Sequence, residues 1–202
     1  MLLIKKYKQS LKSYQIFITY LKMPHRINFF RKIEANLRGL IGQDKEAEVL
    51  KKICIGKGAD IGCGSNKISE NCIGVDLFGK GEKGEFGNQK GEISRADYKA
   101  EGDNLKMFKD NELDFIVAKH NLEHYENPEK TLKEWKRVLK KGGKIGIVVP
   151  DDEYVNTSKL DQTHKAAFNL TTLEELFKKS GFRIIEKGAA LKHWGIYLIG
   201  EK

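Results

Sequence analysis

A chain of 202 residues, 40% of them hydrophobic, is long enough for one domain of ordinary size and leaves little for a second. Its 37 basic residues against 28 acidic ones give a net charge of +9, which favours polyanions or an anionic surface as neighbours without specifying a fold. No stretch approaches the roughly 20 uninterrupted apolar residues of a membrane span, and three cysteines, Cys54, Cys63 and Cys72, without Cys-x-x-Cys spacing indicate neither a disulfide framework nor a zinc site.

At the start, Leu3, Tyr7, Leu11, Tyr14, Ile18 and Leu21 recur at helical spacing with lysines between them, which predicts an amphipathic helix to about Lys22, ended by Pro24. Lys5, Lys6, Lys8 and Lys12 interrupt it too often for a signal peptide, and a reducing cytoplasm is the expected compartment. A second helix is expected through Ile33, Leu37 and Leu40, and a third from Asp44, as N-cap, to about Ile53. Residues 1–53 thus read as a helical extension that covers the sheet as part of a lid, with a membrane-surface or partner-binding arm as the sharper alternative.

From Gly58 short apolar strands alternate with helices, the pattern of a mostly parallel sheet. Ala59-Asp60-Ile61-Gly62-Cys63-Gly64 reads as a strand end and a glycine turn leading into a helix, with Gly62 and Gly64 letting a ligand approach the backbone. The next strand, Cys72 to Asp76, ends in an acid placed to accept from ribose hydroxyls, so the two tips suggest a nucleoside pocket. Lys67 stands where a dinucleotide fingerprint needs its third glycine, and Asp60 would repel a phosphate. An acid there suits a ligand with a positive pole, such as the sulfonium and ammonium of S-adenosylmethionine. Residues 78–91 hold five glycines among charges and predict a mobile loop near the pocket mouth. A third strand is expected over Glu92–Asp97 and a fourth over Leu113–Lys119, running into His120-Asn121-Leu122-Glu123-His124. A helix follows Pro128, with Leu132, Trp135, Val138 and Leu139 on one side and Lys140-Lys141-Gly142-Gly143 as its stop, before a fifth strand from Lys144 to Val149.

The turn at Asp60, Gly62 and Gly64 with the acid at Asp76 resembles motif I and the following strand end of the class I S-adenosylmethionine-dependent methyltransferases. The block His-x-Leu-Glu-His, then Pro128, then Trp135 to Gly143 and Val148-Val149-Pro150-Asp151, is similar to their "type 11" group. The resemblance spans about Gly58 to Asp152 and departs from the commoner pattern at Lys141, where a proline often stands. It implies an α/β fold: a Rossmann-like, doubly wound, seven-stranded, mostly parallel sheet with an antiparallel last strand, over residues 54–202. It also gives Asp97 the adenine amino group and the Tyr98 N–H a ring nitrogen. The cofactor set so implied is Asp60, Gly62, Cys63, Gly64, Asp76, Leu77, Asp97, Tyr98, His120 and Asn121.

Residues 151–170 interrupt the alternation and read as an acceptor-side insertion containing His164. Thr171 or Thr172 with Glu174 or Glu175 predicts a capping box on a helix to Ser180-Gly181, after which Phe182–Glu186 and Trp194–Ile199 form a terminal strand pair. Methyl transfer needs an acceptor held near attack distance and, for a hydroxyl or amine, a base; histidine is the natural base near neutral pH. His120 and His164 are the candidate catalytic residues, whereas His124 is expected to tie the loop to the sheet. No metal is expected, because the hydrolytic zinc motif places Glu directly after its first His and Asn121 stands there. No Asn-Pro-Pro-Tyr-type sequence follows strand four, which disfavours nucleobase amino-methylation. The expected activity is methylation of a small molecule or sugar hydroxyl. RNA methylation, on account of the charge, a non-catalytic binding protein of this fold and an NAD-dependent oxidoreductase are the alternatives.

Overall fold

The computed structural model describes residues 45–85, 89–159 and 161–202. The two predicted N-terminal helices and the Asp44 cap lie outside these residues; the third helix, α1, is described over 45–51. Seven strands form one sheet: β1 (Gly58–Ile61), β2 (Ile73–Asp76), β3 (Tyr98–Lys99), β4 (Leu113–Lys119), β5 (Leu139–Pro150), β6 (Arg183–Leu191) and β7 (Gly195–Glu201), in the order β3-β2-β1-β4-β5-β7-β6. β7 runs antiparallel between β5 and β6, and all other pairings are parallel. The expected mostly parallel, doubly wound sheet is therefore the fold.

Alternation along β4 shows why the sheet is covered twice. Phe115 and Val117 join Leu50, Ile53, Val148 and Ile199 on the α1 side. Ile116 and Ala118 face the other way, into a core with α2 (Pro128–Val138) and α3 (Leu170–Lys179), where Leu132, Trp135, Val138, Leu173 and Phe177 are fully buried. A strand buried on both faces belongs at the centre of an open parallel sheet. Because β2 lies on one side of β1 and β4 on the other, the chain order reverses there, and the carboxyl tips of these strands border a crevice at the switch point.

Several boundaries differ from the expectations, among them β6, which runs on to Leu191. The turn after β1 leads into no helix: residues 62–72 are turns and bends, fewer than the dozen or so residues that a helical crossover needs. β3 is Tyr98–Lys99 rather than Glu92–Asp97, of which only Ile93 makes an isolated bridge, to Lys83. α2 stops at Val138, because the buried Leu139 already pairs with Leu113; Lys140–Gly143 then bulge out of β5, with Gly142 at φ +77°, before pairing resumes at Lys144. The cap of α3 is Asn169, whose side chain accepts from Thr172 N while the Thr172 hydroxyl accepts from Asn169 N.

α2 ties this scaffold to the pocket side. Asn127 caps it by accepting from Lys130 N and Pro128 occupies its first turn. Its Trp135 is fully buried and donates from Nε1 to the Gly102 carbonyl at 2.7 Å, so the loop after β3 hangs from the helix. Trp135→Ala is expected to lower the unfolding free energy by about 3–5 kcal/mol, and Trp135→Phe by about 1–3 kcal/mol through the unpaired carbonyl; urea denaturation measures both.

Candidate functional site

The glycine turn is held from below by a buried acid. Asp60 is 1% exposed and accepts from Ile68 N at 2.7 Å, drawing the residues after the turn back under the strand tip. Burial pushes its pKa up to about 7, opposed by the Ile68 hydrogen bond and by Lys119 and Lys67, and reinforced by Asp76. Gly62 (φ +76°) and Gly64 (φ +53°) need the left-handed backbone that glycine allows. A Cβ on Gly62 would also lie 2.3 Å from Asn121 Nδ2, so the Asn121 amide lies directly over the turn. Burial and the charges of Asp60 and Asp76 push the Cys63 thiol up to about 12, which leaves it an inert wall residue.

Asp76, at the β2 tip, accepts from Gly64 N at 2.9 Å and Phe78 N at 3.1 Å. Its Oδ2 also accepts from Gln89 Nε2 at 3.2 Å, and Gln89 reaches over Gly64 as well. The glycine-rich segment therefore folds back onto the acid with its Gln89 side chain. Leu77 next to it is 48% exposed.

Asp97 stands apart from this group. It precedes β3 beside Gly74, accepts from Gly74 N at 2.8 Å and pairs with Lys67 Nζ at 2.5 Å, interactions that hold its carboxyl below the usual range against the opposing effect of burial. Tyr98 lies within β3 with its ring edge-on to Phe108. Two acids follow the tip of β3, Glu101 and Asp103; the charge of Asp103 acts together with that of Asp76 on the Tyr125 hydroxyl, which donates to Asn121 Oδ1 at 2.9 Å. No expectation falls on Asp103, because the expected strand ends at Asp97, two residues before the tip of β3.

Past β4 the side chains form a second, denser group. His120 has a left-handed backbone (φ +50°), rare for a non-glycine residue and typical of functional turns. Its Nε2 lies 3.0 Å from Glu46 Oε2 of α1, and its Nδ1 faces Glu123 Oε1 at 3.6 Å, an ionic approach too long for a hydrogen bond. Burial works against its charge, but the two carboxylates outweigh it and raise its pKa to about 10. Glu123, 1% exposed, has no hydrogen-bond partner on either carboxylate oxygen. Its backbone carbonyl accepts from Lys165 N and Ala166 N, which docks the insertion against the loop and brings His164 Nε2 to 4.0 Å from Glu123 Oε1. His124 approaches Thr163 through Nδ1 and meets the His164 ring edge-on at 4.8 Å. The structure thus joins His120 and His164 around Glu123 of the His-x-Leu-Glu-His block, and it brings in Glu46, which no local pattern marks.

Strand order, switch-point crevice, glycine turn and acidic strand tip define a doubly wound nucleoside-binding domain. A family profile described as a methyltransferase domain matches residues 59–147. A protein of Methanocaldococcus jannaschii is 35% identical over 153 residues, 70% of this chain and 72% of that one. In fold, the chain is similar to an S-adenosylmethionine-dependent methyltransferase of Thermotoga maritima (TM-score 0.61, 21% identity, 89% of this chain and 100% of that one). It is also similar to a chain from the Haloferax volcanii complex of the Trm112 methyltransferase activator with a methyltransferase (TM-score 0.62, 16% identity, 83% and 93%). Residues 59–147 thus form a methyltransferase domain, on a fold shared with S-adenosylmethionine-dependent methyltransferases. Among the described residues, no helix is long and apolar enough to cross a membrane.

The raised acid under the turn has a measurable consequence. The folded pKa of Asp60, about 7, lies above the unfolded 3.8, so the native state keeps a proton that the unfolded chain has lost, and stability falls as pH rises between these values. Asp60→Asn, which can still accept from Ile68 N, is expected to lose on the order of 2–3 kcal/mol less unfolding free energy than the parent chain between pH 5 and pH 8 in urea titrations.

Proposed function

We propose that the protein transfers a methyl group from S-adenosylmethionine to a hydroxyl of a small molecule or sugar. The observation that carries this reading is the group of half-buried His120, His124 and His164 around the buried Glu123 at the β4 tip, adjoining Asn121 and the glycine turn. A sulfonium donor brings its own leaving group, so the chain has to orient the acceptor and receive its proton.

The donor fits the residues present. Gly62 and Gly64 carry no side chain to block the ligand, which enters once Gln89 withdraws from over the turn, and Asp76 accepts from its ribose hydroxyls. Cys63, Leu77, Tyr98 and Asn121 complete the walls. Asp103 takes the adenine role in place of Asp97, whose carboxylate is committed to Lys67 and Gly74. Asp60 supports the turn from beneath. Gln89 has to leave Asp76 for the ribose to engage.

Of the two catalytic candidates, His120 has both ring nitrogens directed at carboxylates and serves to position the loop. His164 keeps a buried Nδ1 without a partner and is the better proton acceptor, with Glu123 beside it.

Calorimetry is expected to show micromolar binding of S-adenosylhomocysteine, weakened roughly 10- to 100-fold by Asp76→Ala through loss of charged hydrogen bonds. Gln89→Ala, which frees Asp76, is expected to tighten binding roughly 2- to 10-fold. Incubating cell extract with methyl-labelled donor and fractionating it tests the acceptor. Label in the small-molecule or glycan fraction supports the reading; label in RNA or protein overturns the acceptor class, and no label overturns the activity.

A further inference from the structure

Glu123, buried to 1% exposure, accepts no hydrogen bond on either oxygen and has only the ionic approaches of His120 at 3.6 Å and His164 at 4.0 Å, so its desolvation is incompletely answered. Around Glu123 stand three imidazoles, His120, His124 and His164, and one ligand atom each from Glu123, His124 and His164 lies within 4.8 Å of the others. His164 Nδ1 is likewise buried without a partner. We propose that Glu123, His124 and His164 hold one divalent first-row transition cation of the Zn2+ type.

The surroundings are arranged for ligation. The Thr163 hydroxyl donates to Asp161 Oδ1 at 2.6 Å, so its oxygen is left to accept from His124 Nδ1 at 3.1 Å, with the Thr163 carbonyl as a second acceptor at 3.4 Å. That assigns the proton of His124 to Nδ1 and presents its Nε2 lone pair, the arrangement by which a carboxylate or carbonyl behind a histidine orients a metal ligand. The paired bonds from Lys165 N and Ala166 N to the Glu123 carbonyl fix the distance between the segment carrying Glu123 and His124 and the one carrying His164. His120 is outside the set, since Glu46 engages its Nε2. Closing a shell with bonds of about 2.0–2.2 Å requires side-chain movements of roughly 1 Å, within the reach of side-chain rotation.

Two nitrogens and one carboxylate suit Zn2+, Mn2+ or Fe2+ better than Mg2+, which takes oxygen ligands. Three protein ligands leave a coordination position open, the hallmark of a reactive rather than a structural site. On the hydroxyl-acceptor reading, on which this consequence alone rests, the acceptor oxygen fills that position and gives its proton to solvent. The same oxygen then bonds to the methyl carbon as the carbon–sulfur bond breaks, and its electron pair leaves on sulfur as a neutral thioether. His164 would then act as a ligand instead of as the base.

The test uses the full chain, stripped with chelator and titrated calorimetrically with ZnCl2, MnCl2 and MgCl2, with Co2+ absorption as a second readout. One equivalent of Zn2+ is expected to bind at micromolar affinity or tighter, and Co2+ to develop a visible ligand-field band. Glu123→Gln and His164→Ala are expected to weaken Zn2+ binding at least tenfold and abolish the band, leaving S-adenosylhomocysteine affinity within threefold. His193→Asn, at an exposed histidine that stacks on Tyr154 and lies outside the three-residue set, should change neither. If a ligand variant fails to fold by circular dichroism, Thr163→Val, which removes only the bond orienting His124, is expected to weaken Zn2+ binding about tenfold. Absence of stoichiometric binding and of the band, unchanged affinity in the variants, or Mg2+ bound as tightly as Zn2+ each overturns the proposal. Zn2+ binding is read without donor or acceptor, so its failure is distinguishable from failure of the methyltransfer reading.

Discussion

The structure depends on the parallel pairing of β1 with β4, in which Gly58 to Ile61 lie beside Phe115 to Ala118. Every side chain on this stretch of β4 is buried, so neither strand can shift by one residue without sending core groups to the wrong face. The pairing places the ends of both strands at the same level, and the loops after them, with Gly62 on one side and Asn121 on the other, come into contact. Since the chain order reverses here, no helix crosses the gap, and the residues with chemistry to offer meet above the sheet. The rest of the sheet supports this junction: β5 and β7 extend it, while α2 and α3 seal one face and α1 the other.

Three acids at or near the strand ends illustrate how environment separates residues that look equivalent in sequence. Asp60 lies wholly inside and braces the turn; Asp76 sits at its tip with backbone donors and a displaceable glutamine; Asp97 spends its charge on Lys67 at the sheet edge. Their spacing along the chain is similar, but only strand register decides which of them reaches the crevice. Asp97 aligns with Gly74, two residues short of the β2 tip, as Tyr98 pairs with Val75 and Lys99 with Asp76.

The central strands and the glycine turn were legible because they rest on local rules, namely apolar runs of strand length and a conformation that only glycine adopts easily. The β5–β7–β6 arrangement was legible through family resemblance more than through periodicity. What misled was every boundary set by a tertiary partner. Leu139 continues the helical pattern of α2 yet belongs to β5 because Leu113 waits beside it, and the glycines at 142 and 143 make a bulge where a helix stop was expected. β3 is too short to leave a periodic trace, and its early placement hid Asp103. Likewise Glu46, on α1, carries no mark in sequence; its relation to His120 exists only once the helix packs beside the β4 tip.

The histidine group extends that lesson to function. Seen along the chain, His120, Glu123 and His124 match no hydrolytic metal motif, because that motif assumes a continuous helix in which ligands four residues apart share a face. Here the segment is a single 3-10 turn, Leu122 to His124, following a left-handed residue, so the relevant geometry is set by backbone bonds to a second segment some forty positions later. Such a site is read from which polar atoms are buried and unanswered, a quantity with no counterpart in residue spacing. It also explains why the insertion after β5 belongs to the chemistry: Thr163 and His164 reach Glu123 and His124 only because the Glu123 carbonyl holds the insertion in place, so the loop that would meet an acceptor and the group that would activate it are one mechanical unit.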